Sequence, residues 1–68
     1  MSNTAQKLGL NIRRLREEKG LLQSDLCKKL RVEAPYLSNI ENGNKNPTLL
    51  TIEKIAKALG VTVSELTK

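Results

Sequence analysis

The residues best equipped for chemistry lie in one run, YLSNIENGNKNP, from Tyr36 to Pro47. Ser38, Asn39, Asn42, Asn44 and Lys45 bring hydroxyl, amide and ammonium groups together at close spacing, a set suited to hydrogen bonding rather than to bond breaking. Nucleophilic catalysis needs a nucleophile beside a base, and the 68-residue chain has no histidine and a single cysteine, Cys27. Its serines lack the usual base, and a Ser-Lys pair needs a pocket that so small a domain seldom encloses. The same counts exclude a disulfide or a Cys/His zinc site within one chain. The residues point to binding, with no catalytic set and no metal site.

Twelve Lys and Arg against seven Asp and Glu give a net charge of +5, which favours an anionic partner. Most of the excess lies before Gln23, where five basic residues face two acidic ones. Charge alone leaves nucleic acid, an acidic protein surface and anionic lipid all open. The chain has room for one domain, 1–68, near the lower size limit for folding without metal or disulfide support. No apolar run spans a bilayer and no secretory signal pattern opens the chain. With a lone cysteine, the expected protein is soluble and cytoplasmic.

Twelve Leu and four Ile, with Tyr36 the only aromatic residue, favour an aliphatic helical core. Leu8, Ile12 and Leu15 recur at helical spacing, so a first helix is expected from about Thr4 to Lys19, capped by Asn3 or Thr4. Gly20 ends it, with Leu21 folding back on the last turn. In QSDLCKKL, Leu26, Cys27 and Leu30 share a face and mark a second helix over about 23–30. Position 22 is Leu, so no side-chain cap precedes it and its first amides need water or another partner. Pro35 is tolerated only in a first turn, which starts a third helix at Glu33 or Ala34; Gly43 closes it after Asn42, and NGNKNP is a loop. Ile52, Ile55, Ala56 and Leu59 define a fourth helix ending at Gly60. TVSE from Thr62 to Glu65 is a capping box for a short fifth helix. The expected class is all-α, a compact five-helix domain.

The second and third helices, joined by a turn of three or four residues, have helix-turn-helix spacing over about 23–42. In that geometry the later helix enters the major groove of DNA while the earlier one crosses the backbone. The stretches IRRLREEKGLLQSDLCKKL, YLSNIENG and NPTLLTIEKIAKALGVTVSEL add more. From Ile12 to Leu66 the sequence resembles the lambda-repressor-like, Cro/repressor-type helix-turn-helix regulators of phages and bacteria. The resemblance implies that Ala34, Pro35, Ser38 and Asn39 occupy base-reading positions and that Gln23 contacts a phosphate and helps to position the third helix. It places Asn42, Gly43, Asn44 and Lys45 along the backbone and makes Arg16 and Glu41 a partly buried ion pair tying the first helix to the third.

The sequence departs from that family at several positions. Leu22, Cys27, Arg31 and Glu33 stand where Ser or Thr, a small residue, Gly, and a capping Ser or Thr are usual. A left-handed Arg31 costs roughly 1 kcal/mol and sets a cation near the DNA. Glu33 favours the helix dipole, opposes phosphates, and can accept from a cytosine amino group. Ala34 and Pro35 offer contact to a thymine methyl, which leaves Asn39 as the directional contact. Tyr36 can pack one face on the core while its hydroxyl reaches a phosphate. The plain reading of Arg13 and Arg14, with Glu17 and Glu18 at i+4, is a solvated helix face. Lys28 and Lys29 read the same way, and Cys27 reads as a small core residue.

The function implied is sequence-specific binding of double-stranded DNA by a transcription regulator, a repressor or a restriction-modification controller, acting as a homodimer on a palindromic operator. Leu50, Val61, Val63 and Leu66 are the expected dimer seam. With no effector domain, regulation is expected to come from concentration and cooperativity, without a small-molecule effector or cofactor. The rival is an antitoxin-like protein-interaction module in which DNA binding is secondary.

Overall fold

The computed structural model describes residues 4–68. Five helices follow one another: α1 (Thr4–Glu18), α2 (Gln23–Leu30), α3 (Ala34–Glu41), α4 (Leu49–Leu59) and α5 (Val63–Thr67). The expected order and type hold throughout, with α1 ending one residue before Lys19 and α3 one residue before Asn42. Asn3, one of the two candidate caps of α1, lies outside the described residues. No described helix is long and apolar enough to cross a membrane.

Each terminus has a chemical cause. Thr48 accepts the amide of Thr51 at 3.2 Å to start α4. Thr62 and Glu65 exchange bonds of 3.1 and 3.0 Å to start α5, so the capping box forms as written in the sequence. At α2 no side chain caps the first turn, as expected, and one correction concerns the residue before it. Leu22 has no side-chain acceptor, yet its own amide donates to the Asp25 carboxylate at 2.8 Å. The reciprocal half of a capping box is enough to satisfy that donor.

Arg31 closes α2 in the left-handed conformation, φ 59° and ψ 45°, the only described non-glycine residue with positive φ. The backbone amide of Val32, just past it, donates to the Cys27 carbonyl at 3.1 Å. The turn into α3 thus keeps its backbone bonds although the favoured glycine is absent.

Leu8, Ile12, Leu15, Leu26, Leu37, Ile40, Ile55, Leu59 and Leu66 form one buried cluster, fed by all five helices and joined by Cys27 and Ala56. α1 packs on α3 and α5, and α2 packs on α3 and α4. Burial pushes the Cys27 thiol up, away from the reactive thiolate. Gly9 has a tertiary role invisible to helix propensity. A methyl group there would strike the carbonyl of Ile40 and lie 2.6 Å from that of Glu41, so only glycine lets α1 cross the end of α3. Gly43 continues the same seam, because its φ of 78° and its closeness to Gln6 both exclude a side chain.

Leu66 requires a second correction. It is fully buried in the monomer core, and its carbonyl accepts from the Asn11 amide at 2.8 Å. It closes α5 onto α1 and has no surface to offer a second copy.

Relief of the left-handed strain generates the first prediction. Arg31→Gly raises stability by about 0.5 kcal/mol, the left-handed cost less the added entropy of an unfolded glycine. For a domain of this size that raises Tm by several degrees, and a thermal melt followed by circular dichroism that shows no rise refutes the strain assignment.

Candidate nucleic-acid interface

The Glu41 carboxylate, in the last residue of α3, is 4 % exposed at residue level and engages two other helices. Arg16 of α1 grips it through both oxygens, Nε to Oε2 at 2.8 Å and Nη2 to Oε1 at 3.1 Å. The remaining Nη1 of Arg16 donates to the Leu21 carbonyl at 2.8 Å in the α1–α2 link. Gln23, opening α2, donates its side-chain amide to Glu41 Oε1 at 3.0 Å. Hydrogen bonding to Glu41 holds the Arg16 proton more firmly than usual, against the opposing effect of burial. A paired and fully bonded charge is tolerated inside a protein where a lone one is not. Both ends of the helix-turn-helix are thereby fastened to α1.

The outer face of α3 is left free by this arrangement. Ala34, Pro35 and Asn39 are exposed and Ser38 is half-buried. Glu33 is the N-cap residue of α3, yet its exposed carboxylate makes no capping bond. Ser38 meets the Asn42 amide in a long contact of 3.5 Å. Beyond α3, the Asn44 amide donates to the Asn39 carbonyl at 2.9 Å, which folds the loop against the helix end. Tyr36 is half-buried against the core, and Lys45 lies over its ring at 5.2 Å from the centroid, a cation–π distance. Helix and loop thus form one surface of amide, hydroxyl, ammonium and small apolar groups.

The expected base-contact set, Ala34, Pro35, Ser38 and Asn39, falls on consecutive turns of α3. Asn42, Asn44 and Lys45 lie in the loop that extends that face. Gln23 stands at the first turn of α2, its side chain already committed in part to Glu41. Arg31 is exposed at the opposite end of α2 from Gln23, so these two do not form one cluster. The expected seam also divides: Leu50 stands in the first turn of α4, whereas Val61 follows the left-handed Gly60 that closes the helix, eleven residues later in sequence. Val61 and Val63 remain half-buried side by side, while Leu49, not singled out from sequence, is exposed beside Leu50 at 64 % and 61 %.

A tight helix pair whose second member exposes an amide-bearing face defines a helix-turn-helix protein of the DNA-binding type. The profile of the helix-turn-helix family matches residues 12–66, and the chain belongs to that family. It is 44 % identical over 59 residues to an uncharacterised helix-turn-helix transcriptional regulator, y4dJ, of Sinorhizobium fredii, covering 87 % of this chain and 77 % of the relative. It is 37 % identical over 67 residues to the control protein C.MunI of a Mycoplasma species, covering 97 % and 90 %. Among solved structures, the restriction-modification controller protein C.AhdI of Aeromonas hydrophila superposes with a TM-score of 0.86 at 35 % identity, over 91 % of this chain and 94 % of that one.

The buried pair carries a prediction. Arg16→Ala leaves the Glu41 carboxylate buried without its cation, a loss of about 3–5 kcal/mol against a total of roughly 3–10 kcal/mol for a domain this small. Urea titration should find the variant largely unfolded or close to it, and an unchanged midpoint would show that the pair holds nothing.

Proposed function

We propose that the protein is a sequence-specific transcription regulator that reads a half-site in the major groove through α3 and binds a palindromic operator as a homodimer. The observation that carries the proposal is the contrast within α3. Its last residue, Glu41, is locked to α1 and α2, while Ala34, Pro35 and Asn39 are exposed, without side-chain bonds among the described residues. A rigid helix with free contact groups along one face is what groove reading requires.

Each group has a distinct part. Asn39 supplies the paired donor and acceptor that fit an adenine edge, and Ala34 and Pro35 fit thymine methyls. Lys45, Asn44 and Asn42 meet the phosphates beside α3. The backbone amides of Gln23 and Ser24 have no partner among the described residues at the start of α2 and suit a phosphate oxygen. Tyr36 is held by core packing and by Lys45, with its hydroxyl directed to the same backbone.

Similarity to C.MunI and C.AhdI over most of each chain supports a role as a small restriction-modification controller. A phage immunity repressor, from Bacillus phage phi105, is 39 % identical over 59 residues, although this chain spans only 41 % of that protein's length. Repression of a target operator is therefore the companion reading. In a dimer, recognition helices about 34 Å apart address half-sites one helical turn from each other. Val61 and Val63, together with the exposed Leu49 and Leu50, supply the apolar groups for the seam. No observation favours the antitoxin-like module.

Selection from random duplexes should enrich a palindrome with that spacing, and gel shifts of the product should weaken steeply as salt rises. An unselective, asymmetric or salt-indifferent result defeats the proposal. On the enriched site, Asn39→Ala should cost about 1–3 kcal/mol of discrimination while leaving random-duplex affinity in place; equal losses on both would remove its base-reading role. Gln23→Ala should weaken both duplexes alike, and a change in sequence preference would show that it reads bases.

A further inference from the structure

Away from the Glu41 junction, the C-terminal ends of α2 and α4 enclose a shallow cleft lined by Lys29, Leu30, Arg31, Lys54, Lys57 and Ala58. Four of these six residues are cations and none is an acid. The three α1 arginines, Arg13, Arg14 and Arg16, are all engaged by Glu17, Glu18 and Glu41. The side chains of Lys29, Arg31, Lys54 and Lys57 have no ion pair and no hydrogen-bond acceptor among the described residues.

Helix dipoles favour a cation close to each C-terminus, which accounts for Lys29 or Lys57 taken singly. It does not account for Lys54, in the middle of α4. The terminal carbonyls are also already bonded, Cys27 and Lys28 by the amides of Val32 and Arg31, and Ala56 and Lys57 by those of Val61 and Gly60. Arg31 is the most telling member. It occupies a left-handed position that glycine fills without strain, and it places its charge on the cleft rim. Leu30 and Ala58 supply apolar lining, beside which the attraction of fixed charges for an anion is strengthened.

Arg31 is also three residues before Ala34, so no more than about 11 Å of chain separates the cleft rim from the leading end of α3. A duplex lying in the groove-reading position passes its backbone close to that turn. We propose that this cleft is a second phosphate-binding surface, which holds duplex backbone outside the segment read by α3 and does so without regard to sequence. The inference rests on the duplex-binding reading above, and it enlarges the footprint beyond the contacts of α3 and the loop that follows it.

The test compares the selected operator as a minimal duplex with the same operator extended by about ten base pairs, one helical turn, of arbitrary sequence at each end. Fluorescence anisotropy titrations at several salt concentrations should show that the wild-type protein prefers the extended duplex by about tenfold at low salt. K54Q/K57Q should retain affinity for the minimal duplex, lose the preference, and flatten the salt dependence on the extended duplex by about two phosphate contacts per protomer. Arg31→Gly should lose part of the preference while melting at a higher temperature than wild type, which separates loss of charge from loss of fold. A selected site with no flank preference, or one that K54Q/K57Q preserves, overturns the cleft assignment and leaves the operator reading intact. Retention on polyglutamate that falls in K54Q/K57Q, with duplex binding unchanged, reassigns the cleft to an acidic polypeptide. A flank preference without any selected sequence keeps the cleft and overturns the operator reading, and absence of all duplex binding overturns both.

Discussion

A single buried carboxylate organises this domain. Glu41 ends α3, and its two oxygens are shared between the Arg16 fork from α1 and the Gln23 amide from α2. The desolvation of such a charge is severe, so the geometry has to be met in full or the residue is better apolar. Here it is met: no buried side-chain nitrogen or oxygen among the described residues lacks a partner. What an apolar substitute cannot provide is direction. Three helices are indexed to one another by bonds with fixed angles, in a core whose Leu and Ile side chains would accept several relative rotations.

The backbone fit beneath that junction works in the same sense. Gly9 brings α1 against the last carbonyls of α3, and Gly43 lets the following loop turn beside Gln6. Close approach sets the distance between α1 and α3, and the Arg16–Glu41 fork sets their register. The leading end of α3, about two turns from the junction, inherits its orientation from both. The orientation of the outer face of α3 therefore originates in Gly9, Arg16 and Glu41, none of which lies on that face.

Much of this is legible in the sequence, because most of the punctuation is local. Gly20, Gly43 and Gly60 close helices, Pro35 can only begin one, and the Thr62–Glu65 box forms as the spacing requires. The pairing of Arg16 with Glu41 came from resemblance, since nothing in the spacing of two residues 25 apart reveals contact. Other features were hidden because they are tertiary. Gly9 looks like an indifferent helix residue until α3 is laid against it. Leu66 looks available at the end of a short helix until Asn11 and the core claim it. Lys29 reads as a solvated charge and Arg31 as a lone cation near the DNA, Lys54 and Lys57 carry no signal of their own, and only the packing of α2 on α4 gathers the four. Asp25 is a local signal of another kind, an acceptor three residues beyond the capless Leu22 whose amide it takes.

The free side chains of Ala34, Pro35 and Asn39 have a consequence for descent as well as for recognition. Because the side chains of Ala34 and Asn39 are exposed and bond to none of the described residues, exchange at these two positions leaves the scaffold's stability nearly untouched, so mutation can sample alternatives without first passing through an unfolded intermediate. On the proposed assignment of base contacts to α3, the address of the regulator is thus inherited separately from its architecture. Duplicated copies can diverge toward different operators in few steps, while Arg16, Gln23 and Glu41 hold the shared frame constant.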